Sequence, residues 1–111
     1  MNGGLLFLLQ RATALLLAPL VVVHLGLILY ATQGGLSAAE ILARTRGSLL
    51  WGGFYGLFVL AVAVHGAIGL RAILGEWTRL RGRTLEAVTL AVAFLLLALG
   101  FRAVRAVVGV P

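Results

Sequence analysis

Residues 49–74 read LLWGGFYGLFVLAVAVHGAIGLRAIL, and no charged side chain interrupts the run before Arg71. The hydrocarbon core of a bilayer is about 30 Å thick and a helix rises about 1.5 Å per residue, so about 20 mostly apolar residues suffice to cross it. This stretch is long enough. Backbone in lipid must satisfy its own hydrogen bonds, and a helix does so within a single segment. Two further runs meet the same requirement: residues 12–32, extendable backwards through Leu5 to Gln10, and residues 85–109. The expected fold is all-α, an integral membrane protein with three transmembrane helices over 12–32, 49–74 and 85–109 of a single domain, 1–111.

Composition points the same way. Hydrophobic side chains make up 62% of the 111 residues and charged ones 11%, against about 45–50% and about 25% in an ordinary soluble domain. A soluble globule is excluded. All nine basic residues are arginines, set against three glutamates, and the net charge is +6. Most of the arginines lie beside the apolar runs, where the stem stays in the apolar phase and the guanidinium reaches the headgroups. Membrane lipid, not nucleic acid, is the partner this pattern expects. With no cysteine, the chain has no disulfide, thiolate zinc site, iron–sulfur ligand or cysteine nucleophile of its own. Redox chemistry would need a cofactor held by other residues.

The start, Met1 to Leu9, lacks the positive region of a cleavable signal peptide, and the apolar segment continues past signal length, so it is expected to be retained. Three crossings put the N-terminus and the loop 75–84 on one side, with Arg11, Arg71, Arg79, Arg81 and Arg83. Arg44, Arg46, Arg102 and Arg105 fall on the other. The concentration of arginine in one short loop places the first side in the cytoplasm. Pro19 removes a backbone donor and is expected to kink the first span. Gly52 and Gly56 form a small-xxx-small pair suited to a close helix contact.

The two histidines, His24 and His65, both fall near mid-membrane. An ionisable group there is costly and marks a candidate site. A neutral imidazole can ligate haem iron within an apolar wall, or it can simply hydrogen-bond a neighbouring helix. His65 shares its helical face with Phe54, Phe58, Ala61, Gly69, Ala72 and Glu76. Ala61 and Gly69, one turn to either side, together with Gly66, leave room for a flat macrocycle, although a packed helix would use the same small residues. His24 shares its face with Thr13, Leu17, Leu20 and Ile28, which is bulkier. His65 is therefore the expected haem ligand and His24 a candidate second one. At the end of the second span, Glu76 and Trp77 lie among Arg71, Arg79, Arg81 and Arg83. Tryptophan and arginine commonly anchor helix ends, but a carboxylate beside an indole donor could orient a quinone ring and pass protons from the cytoplasm.

Two short motifs carry a family resemblance. Arg11-Ala12-Thr13-Ala14 opens the first span, and His65-Gly66-Ala67-Ile68-Gly69 lies late in the second. In these the chain resembles the small, D-type membrane anchor of succinate dehydrogenase, respiratory complex II. The resemblance implies that His65 is an axial ligand of haem b, with the second ligand supplied by a C-type partner anchor. It also implies a site for ubiquinone or menaquinone near the cytoplasmic end, where the family commonly has Asp-Tyr. Glu76 and Trp77 stand there, so the acid is kept in kind and an indole that only donates replaces the phenol. Related anchors that hold two haems supply a histidine from the first span, a place that His24 would fill. The resemblance further implies that an iron–sulfur subunit and a flavoprotein subunit sit at the cytoplasmic face of a bacterial inner membrane, with the N-terminus cytoplasmic and succinate oxidation carried out in another chain. The alternatives are the anchor of a quinol:fumarate reductase, a cofactor-free structural anchor, and a small multidrug-type transporter. The last would have four spans and an acid embedded in the first.

Overall fold

The computed structural model describes residues 2–109. Four helices follow one another: α1 (Gly3–Gln33), α2 (Ala38–Thr45), α3 (Leu49–Trp77) and α4 (Gly82–Val108). The three long ones are apolar enough over a sufficient length to cross a membrane.

Helix α1 takes in the Leu5–Gln10 stretch because a cap is available just before it. The Asn2 side chain accepts the free N–H groups of Gly4 and Leu5 at 2.8 and 3.2 Å, as helix N-termini require. The helix runs unbroken through Pro19, so the expected kink does not divide it. It stops at Gly34, and Gly35 turns the chain with φ +66°.

The stretch between the first two spans folds into a short helix, α2. A reciprocal capping box starts it: Glu40 N–H donates to Ser37 Oγ, and Ser37 N–H donates to Glu40 Oε1, each at 3.2 Å. At its other end Thr45 Oγ1 donates to the Val107 carbonyl at 2.8 Å. Gly47, in the left-handed region at φ +69°, donates its N–H to the Val108 carbonyl at 2.8 Å. Two otherwise unpaired carbonyls in the last turn of α4 are satisfied in this way. The C-terminal end of α4 is thereby pinned to the α2–α3 junction.

Helix α3 lies between α1 and α4 and packs against both. Its buried residues are Ala61, Ala63 and Ala67, joined in the core by Leu17 of α1 and by Leu85 and Thr89 of α4. That alanine makes up the buried part of α3 follows from the solvent: lipid is as apolar as leucine, so helices associate by close backbone approach over small side chains. The tightest approach is at Gly100 of α4, where an added Cβ would collide with Val59 of α3. The Gly52/Gly56 pair plays a lesser part. A Cβ on Gly52 would lie 3.8 Å from Val108, and one on Gly56 would meet nothing within 4 Å. Large apolar side chains such as Leu15, Val22 and Phe94 are exposed, as expected of a surface that faces hydrocarbon.

Candidate functional site

The residues of α1 that turn inward recur every three or four positions: Gln10, Thr13, Leu17, Leu20, His24 and Leu27 are all at least half-buried. Opposite them on α3 lie Gly69, His65 and Phe58, in antiparallel register. A Cβ on Gly69 would lie 3.4 Å from Gln10 Nε2, Thr13 Oγ1 is 3.1 Å from His65 Nδ1, and the His24 ring meets Phe58 edge-on at 5.2 Å. Both histidines thus belong to one seam. They do not meet: Thr13 and His24 are about 16 Å apart along α1 at about 1.5 Å per residue, and His65 and Phe58 about 10 Å apart along α3.

His65 is half-buried and uses one ring nitrogen inside the bundle. Its Nε2 has no hydrogen-bond partner among the described residues and is not one of the buried unpaired atoms, so it keeps some accessible surface. The small residues around it are occupied. Gly69 admits Gln10 of α1, and a Cβ on Gly66 would press on Leu96 of α4 at 3.3 Å. The room expected beside His65 for a flat ring is therefore taken up by helix packing within the chain.

His24 is held between aromatic edges, with Tyr55 at 5.7 Å and Phe58 at 5.2 Å. Its Nδ1 is buried without a partner. The ring borders a cleft of about 270 Å³ between α1, α3 and α4, lined otherwise by Tyr55, Phe58, Val59, Gly100, Ala103, Val104 and Val107. A buried imidazole nitrogen left unpaired in so apolar a setting carries a desolvation cost of about 1–3 kcal/mol. This face of α1 is lined by aromatic rings of α3, an arrangement that the residues of α1 alone do not announce.

Glu76 and Trp77 end α3 and are exposed, Trp77 to 82%. They lie about 16 Å along the helix from His65, and Glu76 makes no hydrogen bond or ion pair among the described residues. The site is thus spread along α3 rather than gathered at one point. Two polar residues that the sequence did not single out take part in the seam or lie close to it, Gln10, whose Oε1 is buried and unpaired, and Tyr55, while Thr13, placed by the sequence in the motif at residues 11–14 and on the face of His24, turns out to contact His65. A half-buried arginine, Arg71, likewise has its Nε buried and unpaired.

The imidazoles present that could hold a haem are His65 and His24. No group of three or more histidine, cysteine, aspartate or glutamate side chains occurs among the described residues, so the donor set is single imidazoles. Two clefts, about 270 and 140 Å³, fall below the roughly 300–1,000 Å³ of ordinary small-molecule pockets. A macrocycle would have to lie against the surface of the chain, and there His65, with Nδ1 engaged by Thr13 and Nε2 without a protein partner among the described residues, would be the residue to hold it.

Three helices long and apolar enough to cross a membrane mark the chain as a multi-pass membrane protein. The chain belongs to the family of succinate dehydrogenase/fumarate reductase transmembrane subunits, which matches it over residues 2–100. Comparison with curated proteins and comparison with solved structures each found no match. Membership makes the chain a membrane subunit of such a complex and implies partner subunits; it displaces the transporter reading.

Proposed function

We propose that the chain is the D-type anchor of a succinate:quinone oxidoreductase in a bacterial inner membrane, with its N-terminus and the loop 78–81 in the cytoplasm. Together with a C-type anchor it binds haem b and ubiquinone or menaquinone, and it attaches the iron–sulfur and flavoprotein subunits to the membrane. The observation that carries this reading is His65, a mid-span imidazole with Nδ1 engaged by Thr13 and Nε2 accessible and without a partner among the described residues. His65 presents an imidazole in an apolar wall, with Leu96 close against Gly66 and Gln10 close against Gly69 beside it. Haem b bound there supplies a one-electron store beside the quinone.

Glu76 and Trp77, exposed at the end of α3, orient the quinone ring from the cytoplasmic boundary. Trp77 donates through its indole N–H, and Glu76 moves protons between the ring and the aqueous side. The apolar exterior of the three helices embeds the assembly in lipid. Running in the opposite direction, the same anchor would serve a fumarate reductase, since direction is set by the partners' potentials and the quinone. A second reading concerns His24 alone: its buried, unpaired Nδ1 suits a second haem ligand from the first span, provided the cleft of about 270 Å³ beside it opens against a partner anchor.

The test is to isolate the tagged chain from its native membrane and record a reduced-minus-oxidised visible spectrum with a haem-to-protein ratio. Co-purification of flavoprotein and iron–sulfur subunits with a low-spin b-type spectrum is expected. A complex with those subunits and no haem would leave only the cofactor-free structural anchor.

A further inference from the structure

Thr13 Oγ1 stands at the meeting of three groups: the Leu9 carbonyl at 2.7 Å, the Gln10 carbonyl at 3.1 Å and His65 Nδ1 at 3.1 Å. A hydroxyl has one proton to give, and a carbonyl can only accept. If the proton went to Nδ1, two oxygens would face each other at 2.7 Å with no hydrogen between them, which is repulsive. The proton therefore lies on the Leu9 side, and the hydroxyl oxygen is left to accept. His65 must then be the donor, through Nδ1–H, which leaves the lone pair of the neutral ring on Nε2.

We propose that Thr13 is a positioning residue that selects the Nδ1–H form of His65 and so leaves its Nε2 lone pair free for haem iron. The inference rests on the reading of His65 as an axial ligand. Metal-binding histidines generally donate the other ring N–H to an oxygen, which sets tautomer and orientation and raises ligand basicity. Thr13 supplies that oxygen from a different helix, so ligand geometry is tied to the α1–α3 register. A more basic imidazole favours the ferric state, so loss of the acceptor should raise the haem midpoint potential and weaken haem binding by about 10–100-fold.

The experiment compares wild type, Thr13→Val, Thr13→Ser and His65→Leu in the purified complex, by haem-to-protein ratio, redox titration of the haem and co-purification of partners. Thr13→Val, equal in shape and lacking the hydroxyl, should show a raised midpoint potential and a lowered haem content with partners retained. Thr13→Ser should restore both values. A Thr13→Val complex with full haem at the wild-type potential, while His65→Leu has lost its haem, overturns the role of Thr13 alone. Loss of partners rather than of haem in Thr13→Val makes the hydroxyl merely structural and also overturns it. A His65→Leu complex that keeps its haem overturns the ligand assignment, and the role of Thr13 with it.

Discussion

Gly100 is where one atom decides the packing of α3 on α4. An added methyl collides with Val59, and overpacking of this kind costs about 1–3 kcal/mol. Gly100→Ala should therefore lower the detergent-denaturation midpoint of the complex, and the Gly100→Ala/Val59→Ala double variant should recover most of the loss, because the two sites are in direct contact. The sequence showed this glycine as one of several, and nothing in it named Val59 as the neighbour. His24 is a similar case. Its depth was legible from its position in an apolar run, but its aromatic surroundings come from α3. Since His24 lies about 10–16 Å from His65 along the seam, His24→Leu should leave the haem held by His65 intact. A loss of half the haem would identify a two-haem complex with His24 as the second ligand.

At the scale of the elements, the three long helices were readable because length and apolarity alone require them, whereas their contact faces were not. A lipid-facing side and a buried side are both apolar, so the ordinary polar stripe that marks a soluble helix is missing. The register of α1 against α3 sits in contacts such as Thr13 with His65 and Gln10 with Gly69, and it could not be inferred from either helix alone. Helix α2 escaped notice because eight residues between spans resemble a loop, although the Ser37/Glu40 capping box was present in the sequence. Its anchorage is testable: Thr45→Val removes the bond to the Val107 carbonyl and should cost about 1 kcal/mol, read as a lower denaturation midpoint. Orientation is tested at the α3–α4 connection. Gly82 has φ +60° and suits no other residue well, so a cysteine belongs at the exposed Thr84 instead. Thr84→Cys should resist an impermeant thiol reagent applied to intact cells and react after the membrane is opened; ready labelling from outside would invert the topology.

The molecule as a whole has a thin core, mostly of alanine and threonine with Leu17 and Leu85, and a large apolar exterior. Such a chain should not stand alone. Expressed without its partners it should aggregate or be degraded, and co-expression with a second membrane anchor should rescue it; a monodisperse, haem-free monomer would contradict the shared-site account. The central claim is that His65 supplies one axial ligand of a haem held between two subunits. Its most direct test is the reduced-minus-oxidised spectrum and haem-to-protein ratio of the purified His65→Leu complex, measured beside His24→Leu. Loss or displacement of the low-spin b-type signal in His65→Leu, with partner subunits still attached, is the expected result. An unchanged signal in His65→Leu, with all haem lost in His24→Leu, would contradict the account.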